Sequence, residues 1–339
     1  MLRGHTSAVN GVAFTANSAR ILTASADGTL RFWDVARANS ARTTWKHGEV
    51  VYGFAFYPDG RRAASNAWGG QVKIWDAETG RELASWKAHE QSGVGLGLSR
   101  DARQLVSGGN DGVVRSWDAE TGKALRLFED INDGRANAIV FSPDGTRFVA
   151  PSSRGTAKIW ELDSGKLLHT LKGHTNEVYD VDYSPDGRLV ATAGIDGVAK
   201  LWDAQTGTEL VKLDGHRGPV YSVAFHPAGK LIATAGQDRT VQFWEIPSGR
   251  HIATLLGHDE LVYNVVFAPD GARLVSTSTD NTVKFWDTNT GAQVLSIAYD
   301  AGVFGAVFSR DGTRLAVLPM DGTIRLLNSS PAEQRVKEK

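Results

Sequence analysis

Short runs of apolar residues recur along this chain at a nearly fixed period, separated by clusters of Gly, Asp, Pro and Thr. Residues 178–183, 189–193, 198–202 and 210–213 are four such runs, rich in Val, Leu and Ala and too short for helices. That pattern predicts β-strands. Between them stand Pro185-Asp186-Gly187, Asp196-Gly197 and Thr206-Gly207. Asp and Thr side chains bond nearby backbone amides and Gly accepts positive φ, so each group predicts a tight turn. The segment reads as a four-stranded antiparallel meander.

The same segment repeats. Tryptophan is followed by an acid at Trp33-Asp34, Trp75-Asp76, Trp117-Asp118, Trp160-Glu161, Trp202-Asp203, Trp244-Glu245 and Trp286-Asp287, with steps of 42, 42, 43, 42, 42 and 42. An eighth unit ends 41 residues later at Leu327-Asn328, where both residues are replaced. A four-stranded sheet cannot bury its faces alone, so copies must stack, and a ring leaves only short outer edges. The expected fold is all-β: a single eight-bladed β-propeller over residues 1–328, with seven blades as the alternative. Residues 1–3 match the tail of an outer strand and are expected to close the ring on the eighth unit. Residues 329–339 are expected to form a charged C-terminal tail.

Two further landmarks keep register. Histidine stands 28 residues before a repeat tryptophan at His5, His47, His89, His174, His216 and His258. Aspartate stands 6 residues before the tryptophan at Asp27, Asp111, Asp196, Asp238 and Asp280, and before Leu327 at Asp321. With these in place the chain resembles, over essentially its whole length, the WD-repeat family of β-propellers in tandem arrays of the bacterial type. The resemblance implies that His, a second-strand hydroxyl, the turn Asp and the Trp form a buried hydrogen-bond chain in each blade. The full set is His5, Thr23, Asp27 and Trp33 in unit one, and His89, Ser107, Asp111 and Trp117 in unit three. Units five, six and seven carry His174, Thr192, Asp196, Trp202; His216, Thr234, Asp238, Trp244; and His258, Ser276, Asp280, Trp286. Unit two has Gly69 for the Asp, unit four has Ala150 and Arg154 at the hydroxyl and Asp positions, and unit eight has Val317 and Leu327. Those three units are expected to rest more on apolar packing.

The resemblance also implies a partner face, carrying the loop before each first strand and the turn between the second and third. Two register positions fall there. Reading them round the ring picks out Tyr52, Trp68, Asn137, Tyr179, Ile195, Tyr221, Tyr263, Phe304 and Met320, with Arg135 beside them. Exposed aromatics with a few polar neighbours are the composition of protein-recognition surfaces. Trp45 and Trp86, on expected outer strands, are read as covers of the blade edge.

Composition narrows the function. Lys plus Arg (37) nearly cancels Asp plus Glu (38), and the basic residues form no stripe, which argues against nucleic acid as a partner. No apolar run reaches the 18 or so residues a membrane helix needs, and the N-terminus shows no leader pattern. There is no cysteine. The His–Ser/Thr–Asp sets resemble hydrolase triads, but a triad occurs once and these recur in structural register. His169, His226 and His251 show no metal-ligand spacing. The sequence therefore reads as a non-catalytic, monomeric, cytoplasmic scaffold for a protein or peptide, with no cofactor and no metal. The alternative is the sensor or regulatory part of a larger signalling enzyme, a kinase or NTPase. A propeller enzyme with a site at the channel mouth is the remote third, since only Arg135 supplies charge there.

Overall fold

The computed structural model describes residues 9–14, 20–25, 30–34, 43–128 and 134–328; for the first three segments, Thr43 and Asn328 it describes the backbone alone. Unit one contributes β1 (Val9–Phe14), β2 (Arg20–Ser25) and β3 (Leu30–Asp34), followed by β4 (Thr43–Lys46). Unit two is β5 (Val51–Phe56), β6 (Arg62–Ala67), β7 (Gln71–Asp76) and β8 (Glu82–Lys87). Unit three is β9 (Gly93–Leu98), β10 (Gln104–Gly109), β11 (Val114–Asp118) and β12 (Ala124–Phe128). Unit four is β13 (Val140–Phe141), β14 (Arg147–Pro151), β15 (Thr156–Glu161) and β16 (Leu167–Lys172). Unit five is β17 (Val178–Tyr183), β18 (Leu189–Gly194), β19 (Val198–Asp203) and β20 (Glu209–Asp214). Unit six is β21 (Val220–Phe225), β22 (Leu231–Gly236), β23 (Val241–Glu245) and β24 (His251–Leu255). Unit seven is β25 (Val262–Phe267), β26 (Arg273–Ser278), β27 (Thr282–Asp287) and β28 (Gln293–Ala298), and unit eight is β29 (Val303–Phe308), β30 (Arg314–Pro319) and β31 (Thr323–Asn328).

Each unit from two to seven is an antiparallel four-stranded sheet in chain order, with its first strand innermost. The acid after each repeat tryptophan shapes the turn to the outer strand. Asp76 Oδ1 accepts from Thr79 N (2.8 Å) and Thr79 Oγ1 (2.8 Å), and Asp118, Asp203 and Asp287 do the same with Thr121, Thr206 and Thr290. Where the acid is Glu161 or Glu245, Ser164 or Ser248 donates to it instead. The "Trp-Asp" pair is thus a core residue next to a turn cap.

The ring has seven blades, not eight. β31 takes β4 as its outer strand, with Ile324 opposite Trp45 and Thr323 opposite Lys46. Unit eight then packs directly against unit two, β29 beside β5. Among the described residues, strands β1, β2 and β3 pair only with one another, in a three-stranded sheet. The closing strand is therefore unit one's own fourth strand and not residues 1–3, which lie outside the described residues, as does the tail 329–339. The physical reason is Trp45. It is 1% exposed and sits in one core cluster with Ile324, Leu326 and Leu318 of unit eight and Val51, Phe54 and Trp75 of unit two. Gly80, at φ +73°, lies against the Trp45 ring, where any side chain would collide.

One such cluster fills every interface, and each uses the same wedge. The outer strand of one blade sends a residue against the signature position of the next. Trp45 lies 5.7 Å from Trp75 between ring centroids, Trp86 5.9 Å from Trp117 and Phe128 6.5 Å from Trp160. Leu171, Leu213, Leu255 and Ile297 meet Trp202, Trp244, Trp286 and Leu327 likewise. Trp45 and Trp86 accordingly belong to blade interfaces rather than to an outer cover.

Candidate functional site

Four units carry the hydrogen-bond chain in full among the described residues. In unit three, Trp117 Nε1 donates to Ser107 Oγ (2.8 Å), His89 Nε2 meets the same oxygen (2.8 Å), and His89 Nδ1 meets Asp111 (3.0 Å). Unit five links Trp202, Thr192, His174 and Asp196 at 2.9, 2.7 and 2.9 Å. Unit six links Trp244, Thr234, His216 and Asp238 at 2.8, 2.8 and 3.0 Å. Unit seven links Trp286, Ser276, His258 and Asp280 at 2.8, 2.7 and 2.7 Å. A hydroxyl that accepts from indole N–H has its own proton for His Nε2, so the histidine proton rests on Nδ1, facing the carboxylate. Burial works to raise the Asp111 pKa, but hydrogen bonds from His89 and Arg115 outweigh it and hold the group down at about 2. These hydroxyls lie in the core, enclosed by their own partners. Of the unit-one set, His5 and Asp27 lie outside the described residues, and Thr23 and Trp33 are described in their backbone alone.

The departures have different outcomes. In unit two Trp75 still donates to Ser65 (2.7 Å), but both nitrogens of buried His47 lack a partner, and the Glu49 carboxylate bonds Gly69 N where an Asp side chain would start. Burial, with the Lys73 charge adding to it, lowers the His47 pKa to about 4. In unit four Trp160 Nε1 has no partner, and the ring stacks on Phe148 at 5.3 Å. In unit eight Asp321 turns to Arg325 (2.7 Å), while Val317, Leu315 and Leu327 pack with the unit-seven core.

The rim positions converge on the channel mouth. Six aromatic rings run as a continuous arc. Centroids of Tyr179 and Tyr221 are 5.1 Å apart, Tyr221 and Tyr263 5.4 Å, Tyr263 and Phe304 5.0 Å, Phe304 and Tyr52 4.6 Å, and Tyr52 and Trp68 6.2 Å. The first strands place five of them, because residues at this register lie at the channel end of each innermost strand. Trp68 comes from the turn after β6 and is 59% exposed. Tyr52, Tyr179, Tyr221, Tyr263, Phe304 and Asn137 line one cavity of about 190 Å³. Asn137 is held by Glu177, to which its Nδ2 donates (2.8 Å). Arg135 is exposed, and Arg135, Ile195 and Met320 stand outside the lining. Burial raises the pKa of Tyr52, Tyr179, Tyr221 and Tyr263, so all four keep their phenol protons.

Below the arc lies a polar ladder that the repeat landmarks do not mark. Asp180 Oδ2 accepts from Ser222 Oγ (2.9 Å) and Val223 N (3.1 Å), tying β17 to β21. Ser222 Oγ accepts from Val265 N (3.2 Å), and Asn264 Oδ1 from Ala306 N (3.1 Å), which continues the tie to β25 and β29. Asp182 Oδ2 accepts from Phe225 N (2.7 Å). Desolvation raises Asp180 to about 6 and Asp182 to about 7 despite these donors. The available signal was an Asp at 182 where units two, six and seven have Ala55, Ala224 and Val266.

Comparison with known proteins fits this architecture. The family model described as "WD domain, G-beta repeat" matches residues 1–34, 39–76, 80–118, 124–161, 165–203, 207–245 and 249–287. The chain is 43% identical over 49 residues to nuclear distribution protein nudF of Aspergillus flavus, covering 14% of the chain and 11% of that protein. It is 47% identical over 47 residues to nuclear distribution protein PAC1 of Ajellomyces capsulatus, 14% and 10% of the two chains. To dynein assembly factor with WD repeat domains 1 of Xenopus laevis it is 40% identical over 45 residues, 13% and 11%. These spans are about one unit long and about a tenth of each relative. The relatives are fungal and animal, and they give no support to a bacterial type of array. Among the described residues no helix is long and apolar enough to cross a membrane. Repeat register, interface wedges and family match agree: the chain belongs to the WD40 family of WD-domain, G-beta repeat proteins.

Proposed function

We propose that the chain is a non-catalytic platform that binds a protein or peptide partner across the aromatic mouth of its ring. The observation that carries this reading is the arc of six rings from Tyr179 to Trp68, gathered at one end of the channel from five different blades. Aromatic side chains that stay half-exposed offer large contact area with little conformational entropy to lose. The His–hydroxyl–Asp sets do not compete as a catalytic reading, because their hydroxyls are buried and committed to Trp and His. The ring is a rigid support, since each blade is wedged into the next. The WD40 family commonly uses such rings to bind proteins, which agrees with this reading.

The test is a peptide-display selection against the whole chain, repeated on the variant with Tyr179, Tyr221 and Tyr263 changed to Ala. Peptides enriched on the parent are expected to lose binding to the variant, whose melting temperature stays close to the parent's. Tyr179 is the most enclosed of the three, so the pair Tyr221→Ala and Tyr263→Ala serves as a milder version. Enriched peptides that bind both variants as well as the parent would place the site elsewhere. Unfolding of both variants would make these rings core and sink the assignment.

A further inference from the structure

The mouth cavity has a chemistry more specific than "aromatic". Its wall includes six aromatic rings, Phe54 together with the five rim rings, and its ionisable lining beyond the phenols is one carboxylate, Asp180; no Lys, Arg or His is among the lining residues. Asp180 takes its hydrogen bonds from neutral donors only, Ser222 Oγ, Val223 N and Val181 N. Its negative charge therefore has no positive partner within hydrogen-bond reach. The phenol oxygens of Tyr52, Tyr179, Tyr221 and Tyr263 have no hydrogen-bond partner among the described residues, so they offer further acceptors at the same mouth. At about 190 Å³ the cavity is well below the volume of a small-molecule pocket, and it suits one inserted side chain.

We propose that this cavity receives a single cationic side chain, lysine or arginine, projected by the bound partner. The inference rests on the reading that the aromatic mouth is the binding face. A cation over aromatic rings is attracted by their quadrupoles, more so once desolvated. Its N–H groups would be met by the Asp180 carboxylate and the phenol oxygens, and it would supply the counter-charge that Asp180 lacks. An anionic side chain would face Asp180 with no base in the lining. An aliphatic one would leave the phenols desolvated without partners and the Asp180 charge without a counter-ion. Specificity for positive charge follows from that difference.

Random-flanked heptapeptide arrays with a fixed central Arg, Lys, norleucine or Glu, probed with the whole chain, test this directly. Arg- or Lys-centred spots are expected to bind about tenfold better than norleucine-centred ones, and Asp180→Asn to erase most of that margin. Equal binding of norleucine and cationic centres, lost in the Tyr221→Ala/Tyr263→Ala variant, would overturn the cation inference and leave the platform reading standing. Preference for Glu would overturn it with the sign reversed. Absence of any tyrosine-dependent binding would overturn both. Should Asp180→Asn fail to fold, saturation-transfer NMR on the parent chain separates the cases, using N-acetyl-lysine methylamide against its norleucine counterpart. Transfer to the lysine compound alone supports the inference; equal transfer overturns it.

Discussion

His47 shows what the missing aspartate of unit two costs. Its counterparts His89, His174, His216 and His258 each meet a hydroxyl and a carboxylate, whereas His47 is buried with neither nitrogen bonded. A buried polar group without a partner loses its hydration and gains nothing in return. Gly69 occupies the Asp position with φ outside the left-handed region, so an aspartate is compatible with the backbone there. The obstacle is the Glu49 carboxylate, the far end of a flexible side chain. Gly69→Asp in a Glu49→Ala background is therefore expected to stabilise the protein by about 1 kcal/mol through one new charge-assisted hydrogen bond. The His47 pKa, held at about 4 by burial and Lys73, should rise at the same time. Thermal melts and an NMR titration of the imidazole read the two effects separately. If neither moves, the unit-two pocket is not an aspartate site that lost its aspartate.

Strand β17 is where the pattern of the repeat and the demands of the channel part company. Its inward positions carry Asp180 and Asp182, two residues apart on one face of an extended strand. Burial raises Asp182 to about 7, with the neighbouring Asp180 charge adding to it, while Phe225 N and Tyr183 N pull the other way. A folded-state value above the unfolded one means the folded protein holds this proton more tightly. The associated stability is fully present below the unfolded value of 3.8 and is lost as pH rises toward 7. Asp182→Ala, the residue that units two and six place there, removes the titration. The melting temperature of the variant minus that of the parent should therefore climb from pH 4 to pH 8. The lost backbone hydrogen bonds contribute a constant offset, so a flat difference would show that Asp182 stays charged in the fold. The repeat landmarks exposed the strands, the turn caps and the aromatic register, because each depends on local spacing. They did not expose this pair, because its partners Ser222, Val223 and Phe225 come from the neighbouring blade.

Blade number is a property of the whole molecule, and sequence motifs do not decide it. Eight units are legible, and the family model matches seven of them, beginning with unit one and stopping before unit eight. The ring also has seven blades, but it includes unit eight and leaves out β1, β2 and β3. Unit eight has lost its tryptophan and its hydroxyl, yet Val303, Ala306, Leu315 and Val317 give it apolar residues that pack into the unit-seven cluster. What decides membership is the partner of β4. Locally that strand could extend β3 or β31, and nothing in its own four residues distinguishes the two. The distinction is tertiary: on β31, Trp45 fills the space between Leu326 and Trp75. Burying a tryptophan at an interface of this kind is worth several kcal/mol, about 3–5 by the cost of truncating one. If β4 alone closes the ring, removing residues 1–38 takes away no blade and no wedge. A chain beginning at Asn39 is then expected to fold, to keep its far-UV spectrum, and to melt within about 3 °C of the full chain. Removal of residues 1–49 takes β4 and Trp45 as well, and should lower the melting temperature sharply. The contrast between the two deletions carries the test. A comparable loss in both would mean that unit one has a face in the ring, and the seven-bladed closure would have to be abandoned.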